Sequence, residues 1–144
     1  MQGHLTAVPL NVTVCEKEPV VFACATNLDD PVNWDYIPRD STKRLKIYSA
    51  GELVDEYRHQ INTSKHGQYD LVLNSVSQKD FGKYICVDET GIGEEAAAEL
   101  IVLGRVNFTA KYAFIINLIF TTDYTINATM HRKCIYPLPP NLLS

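Results

Sequence analysis

Residues 80–86 read DFGKYIC, and they carry the strongest structural signal in the chain. In an extended strand, successive side chains point to opposite faces of a sheet. Tyr84 and Cys86 would then share one face, while Ile85 and Val87 would share the other. The stretch therefore predicts a β-strand with large side chains on both of its faces.

Similar short segments recur between residues 10 and 103. Runs rich in Val, Ile, Leu and Tyr are separated by Asp, Asn, Pro, Gly and Ser, which is typical of an all-β protein, and helical periodicity is weak. The predicted strands are 10–14, 20–26, 32–37, 45–48, 60–64, 69–76, 82–88 and 96–103. We expect two antiparallel sheets that pack face to face as a β-sandwich.

The length and composition permit one ordinary globular domain. The 144 residues are 46% hydrophobic and 21% charged, which is typical of a folded protein rather than a disordered one. Residues 1–104 hold nine Lys or Arg and sixteen Asp or Glu, a net charge of −7, whereas residues 105–144 hold four basic residues and one acidic residue. Because phosphate binding needs a basic surface, we expect no nucleic-acid partner.

Motifs of known enzymes are absent or incomplete. The tripeptide DFG at 80–82 also occurs in protein kinases, but the residues before it contain no HRD catalytic loop and are too few for a kinase. The segment GIGEEA at 91–96 resembles a dinucleotide-binding motif, but a predicted strand follows it instead of a helix. We therefore predict that the protein is not an enzyme and that it binds no small-molecule cofactor.

Cysteines and potential glycosylation sites point to a secreted protein. The four cysteines are Cys15, Cys24, Cys86 and Cys134, and four Asn-x-Ser/Thr sequons begin at Asn11, Asn62, Asn107 and Asn127. There is no CxxC pair and the histidines are scattered, so no metal site is predicted. An even cysteine count with several sequons favours an oxidising, extracellular location. The start MQGHLTAVPL does not resemble a leader peptide, so we expect either a leader missing from this sequence or a chain that is a fragment.

The spacing of Cys24, Trp34 and Cys86 resembles the frame of an immunoglobulin domain. Tyr84 lies two positions before Cys86, where this family places a conserved tyrosine, and residues 80–86 fit its Asp-x-Gly-x-Tyr-x-Cys run. The resemblance implies an immunoglobulin-like β-sandwich with Greek-key topology.

The resemblance covers residues 6–104 and leaves residues 105–144 as a poorly ordered C-terminal tail. It implies a disulfide between Cys24 and Cys86, whose 62-residue separation corresponds to roughly 4 kcal/mol of stabilisation in the chain-entropy description. It also implies that Trp34 packs against this bridge and that the Tyr84 hydroxyl bonds to backbone near residues 79–80.

Further residues resemble those of variable-type (V-set-like) domains. Arg58 and Asp80 resemble the ion pair at one end of such domains, although a solvated surface Arg is the alternative. The interval between Trp34 and Arg58 is long enough for the additional C′ and C″ strands. Thr90 stands where an antigen receptor carries Phe or Trp before its Gly-x-Gly bulge. The resemblance therefore favours a variable-like or intermediate type outside the antigen receptors.

The outer face of the sheet that carries Trp34 and Cys86 is the predicted functional surface. Alternation assigns five aliphatic residues to it, and these are Ile37, Ile47, Ile85, Val87 and Ile101. An exposed apolar patch of this kind usually marks a partner surface. The resemblance implies an extracellular recognition or adhesion module that binds itself or another cell-surface or secreted protein. The alternative is a structural spacer in a longer multidomain extracellular protein.

Two features of the chain allow several interpretations. The apolar segment at 113–120 is too short to span a bilayer, and extending it to 102–120 adds several polar residues. A membrane helix, a poorly ordered tail and sequence foreign to the domain all remain open for this region. Cys15 could bridge to Cys134, or it could be a free or intermolecular thiol.

Overall fold

The computed structural model describes residues 4–90, 92–104 and 134. The chain separates into two units, Met1–Val102 and Leu103–Ser144. Most of the predicted tail, with the sequons at Asn107 and Asn127 and the apolar segment 113–120, therefore lies outside the described residues. None of the helices in the described part of the chain has the length and apolar character needed to cross a membrane.

The described residues form strands joined by turns. The strands are β1 (Leu5–Ala7), β2 (Val12–Cys15), β3 (Val20–Phe22), β4 (Ala25–Thr26), β5 (Asn33–Pro38), β6 (Leu45–Ser49), β7 (Glu52–Leu53), β8 (Gln60–Asn62), β9 (Asp70–Leu73), β10 (Gly82–Asp88) and β11 (Glu94–Leu103). A 3₁₀ turn, Gln78–Asp80, lies between β9 and β10. The all-β prediction is confirmed.

The strands form two main sheets. The larger sheet has the order β2-β11-β10-β5-β6-β7, the smaller has the order β3-β9-β8, and β1 pairs with β4. β10 is antiparallel to both β5 and β11, and β9 is antiparallel to both β3 and β8. Since β5 lies beside β10 and β3 beside β9, strands distant in sequence are neighbours, as in a Greek key.

A row of aromatic rings joins the two sheets. Phe22 of the smaller sheet lies 6.4 Å from Trp34 and 4.9 Å from Tyr84, measured between ring centroids. Tyr36 stacks on Tyr84 from the larger sheet, at 4.8 Å. The indole N–H of Trp34 donates to the Tyr69 carbonyl at 2.7 Å, so this buried ring leaves no polar atom unsatisfied. The two sheets therefore share one core, and the predicted sandwich is confirmed.

The structure divides the predicted strand at 20–26 into two. β3 pairs with β9, whereas β4 pairs with β1. Between them, the backbone N–H of Cys24 donates to the Asp70 carboxylate at 3.1 Å instead of to a neighbouring strand. Alternation of apolar residues does not reveal such an interruption, because the side chain that accepts this bond lies 46 positions away.

Candidate protein-binding surface

The residues of the predicted frame come together in the core. Cys24 and Cys86 form a disulfide, and Trp34 is completely buried beside them. Cys15 and Cys134 are also disulfide-bonded, so no described cysteine is a free thiol. The pairing of Cys15 with Cys134 stays a prediction.

Gly82 shows why the stretch 80–86 needs a glycine. A Cβ at this position would lie 2.4 Å from the Ile37 carbonyl oxygen and 2.8 Å from the Tyr36 ring. Both neighbours belong to β5, which pairs with β10 here. Any larger residue would therefore separate the two central strands of the larger sheet.

Asp80 organises the turn at the base of the sandwich. Its carboxylate accepts a hydrogen bond from the Ser77 backbone N–H at 2.8 Å, while the Ser77 hydroxyl accepts one from the Lys79 N–H at 3.3 Å. Arg58 donates to the other carboxylate oxygen of Asp80. The structure thus brings Arg58 and Asp80 together at the end of a reciprocal capping arrangement. This cluster closes the fold and leaves little of Asp80 exposed.

Two tyrosine hydroxyls donate hydrogen bonds to the backbone of the same turn. Tyr84 donates its hydroxyl to the Asp80 carbonyl at 2.6 Å, and Tyr36 donates to the Lys79 carbonyl at 2.7 Å. Burial raises the pKa of both phenols. The role of Tyr36 was not expected, since nothing in the sequence distinguishes it from an ordinary core tyrosine.

The predicted apolar patch on the outer face is wrong as an exposed surface. Ile85, Val87 and Ile47 are only 3%, 5% and 3% exposed, and Ile37 and Ile101 are partly buried. Ile47 lies in the core because an irregular register between β5 and β6 lets it pack there together with Tyr48. Alternation shows which side of a sheet a residue occupies, but it does not show what covers that side.

Charged residues occupy this outer face instead. Asp35 on β5 is 2% exposed, and its carboxylate contacts the Arg44 guanidinium at 2.6 Å and the Lys46 ammonium at 3.4 Å. Arg44 also contacts Glu95 at 2.8 Å, and Lys46 contacts Glu89 at 3.3 Å. We call these five residues the outer-face network.

The register places the network beside two aliphatic side chains. Glu95 pairs with Val87, and Asp35 pairs with Ile85. Because Arg44 contacts both acids, its side chain reaches across the strand that carries the two aliphatic residues. Long basic side chains commonly cover apolar surface with their stems while the charged group stays in water.

Electrostatics strengthen this arrangement. The hydrogen bonds to Glu95 and Asp35 raise the pKa of Arg44. Asp35 lies between Trp34 and Tyr36 and is the one charged residue of β5. A single charged residue in such a strand was the signal that could have revealed the network, since buried charges are normally paired.

The remaining predicted positions are on the surface. Asn11 and Asn62 are exposed, and the Asn62 side-chain oxygen accepts from the Ser64 N–H at 3.0 Å. Within the described residues, no group of three or more His, Cys, Asp or Glu is arranged to hold a metal ion.

Comparison with known proteins identifies the architecture. No protein-family profile matches the sequence. The RIG-5 IG1 homodimer matches with a TM-score of 0.58 and 15% identity, over 69% of this chain and 96% of that chain. The fold is an immunoglobulin-like β-sandwich. A chain of the complex of Dpr1 IG1 with DIP-eta IG1 gives a TM-score of 0.56 and 16% identity, over 69% and 93%.

A third similar structure is a complex of two other proteins. A chain of a mutant complex of titin M10 with an obscurin-like 1 Ig domain matches with a TM-score of 0.53 and 19% identity, over 71% of this chain and 93% of that chain. At these identities the likeness establishes the immunoglobulin-like fold. The strands β6 and β7, which extend the larger sheet beyond β5, are those that distinguish the variable-type arrangement of this fold.

Proposed function

We propose that this immunoglobulin-like domain is an extracellular recognition module that binds a protein partner through the outer-face network. The partner is either a second copy of the chain or another cell-surface or secreted protein. The observation that carries the proposal is the buried carboxylate of Asp35, held by two basic residues that each reach a further acid. Such a network presents both signs of charge in defined positions, which favours selective pairing with a complementary surface.

Several observations support an extracellular protein partner. The structures of RIG-5 IG1 and of Dpr1 with DIP-eta are, by their descriptions, a homodimer and a complex of two immunoglobulin domains. The disulfide between Cys24 and Cys86 suits an oxidising compartment. Asn11 and Asn62 are accessible to the glycosylation machinery. We propose residues 6–104 as the extent of this module.

The experiment compares self-association with binding to other proteins. Sedimentation equilibrium of the full, oxidised chain measures self-association, and an immobilised panel of secreted immunoglobulin-domain proteins measures binding to others. We expect binding in one of these two measurements. Arg44→Glu should weaken that binding about tenfold, because it reverses the charge that bridges Asp35 and Glu95. Lys65→Glu is the matched control, since it makes the same charge reversal and Lys65 is exposed between β8 and β9 of the smaller sheet.

The second candidate is a structural spacer in a longer multidomain extracellular protein. A spacer predicts no saturable binding in either arm and no effect of Arg44→Glu. Binding that Arg44→Glu and Lys65→Glu weaken equally would also contradict the proposed surface, because it would indicate a general effect of charge.

A further inference from the structure

A groove separates the open edges of the two sheets, away from the outer-face network. It has a volume of about 780 Å³ and is lined by Tyr48, Glu52, Leu53, Glu56, His59 and Ile61, among others. β7 is the last strand of the larger sheet, and β8 is the last strand of the smaller one. Each of these strands therefore has one edge without a neighbouring strand in the described part of the chain.

The groove is lined by both acidic and apolar side chains. Glu52 and Glu56 are exposed, and neither forms an ion pair with another described residue. Leu53 and Ile61 are partly buried and pack against the core from the two sides. The groove thus combines unpaired carboxylates with apolar contact area.

His59 supplies a polar atom that is not used within the described fold. The side chain is 8% exposed, and its Nδ1 is buried without a hydrogen-bond partner. Buried polar atoms are normally satisfied, so this nitrogen is an exception among the described side chains that line the groove. This observation is independent of the two carboxylates and of the strand edges.

We propose that the groove binds an extended, basic peptide segment of a partner protein, which adds as a strand to the free edge of β8. Backbone hydrogen bonds to a sheet edge provide affinity in this mode of recognition, and alternate side chains provide selectivity. Basic side chains of the peptide face Glu52 and Glu56, while the intervening apolar side chains contact Leu53 and Ile61. The volume is within the range of ligand sites, and a strand edge favours a peptide over a small molecule. This surface is additional to the outer-face network.

The test uses nuclear magnetic resonance of the ¹⁵N-labelled, oxidised full chain. The probe is a synthetic peptide of alternating Lys and Val, about six residues long, which is an ordinary strand length. A Glu-Val peptide and a Lys-Val peptide with N-methylated valines are the controls for charge and for backbone pairing. We expect saturable shifts at the Gln60, Ile61 and Asn62 amides with the first peptide and none with the controls.

Two variants locate the binding. Glu52→Lys combined with Glu56→Lys should lower the affinity for the Lys-Val peptide at least about tenfold. Asp30→Lys should leave this affinity unchanged. Both sites are exposed, so the variants should fold normally. Equal binding of the N-methylated peptide, shifts centred on the outer-face network, or no saturable shifts would each overturn the proposal. None of these results affects the test of Arg44→Glu.

Discussion

The base of the sandwich and its outer face each contain a buried carboxylate, but the two are held differently. Asp80 is 6% exposed and accepts a hydrogen bond from the Ser77 backbone in addition to its contact with Arg58. Asp35 is 2% exposed, and the contacts found for its carboxylate come from the side chains of Arg44 and Lys46. Asp80 is therefore part of the backbone framework, whereas Asp35 belongs to an arrangement of side chains.

The difference between Asp80 and Asp35 indicates that stability and recognition depend on different residues of the domain. A carboxylate bonded to the backbone of a turn keeps its contacts for as long as the turn is folded. It therefore contributes to the stability of the fold. Side chains that are half-exposed, as Arg44 and Lys46 are, can exchange their partners for water or for another protein. The outer face can therefore change its specificity without weakening the core.

The largest expected effect is at the base. Asp80→Ala should lower the free energy of unfolding by about 3 kcal/mol, because it removes the carboxylate half of the capping arrangement and leaves Arg58 without its acid. Urea denaturation with the disulfides intact measures this loss. A decrease below about 1 kcal/mol would show that the cluster is not a framework element.

A smaller effect on stability is expected on the outer face. Asp35→Ala should change the free energy of unfolding by no more than about 1 kcal/mol, since Arg44 and Lys46 keep Glu95 and Glu89 and are open to water. The same urea experiment compares it directly with Asp80→Ala. If Asp35→Ala were as destabilising as Asp80→Ala, the distinction between the two regions would fail.

The smallest effect concerns pH. Burial, followed by the nearby Arg58 charge, lowers the pKa of His59 below 6.5. The unfolded chain then binds a proton more readily than the folded one, so stability is complete above pH 6.5 and decreases as the pH falls below it. Thermal unfolding between pH 7 and pH 5 should show a smaller decrease for His59→Gln than for the unaltered protein.

His66→Gln is the control for this measurement, because His66 is exposed. An equal pH dependence in the unaltered protein and in His59→Gln would mean that carboxylates, and not His59, produce the acid sensitivity. That result would leave the comparison between Asp80 and Asp35 intact.

The central strand was predictable because its signal is local. β10 spans Gly82–Asp88, as the alternation of Tyr84 with Ile85 indicates. The glycine that opens it is explained by close contact with β5. By contrast, β1 has only three residues, and its pairing with β4 cannot be read from so short a segment.

The sequence by itself indicated the β-sandwich, since alternating apolar residues give each sheet one face to bury and the spacing of Cys24, Trp34 and Cys86 marks the core. Only the tertiary structure decided the character of the outer face. Arg44 and Glu95 are 51 positions apart and meet only when β6, β5, β10 and β11 lie side by side. A pattern of neighbouring residues does not show that two side chains so far apart in sequence form an ion pair.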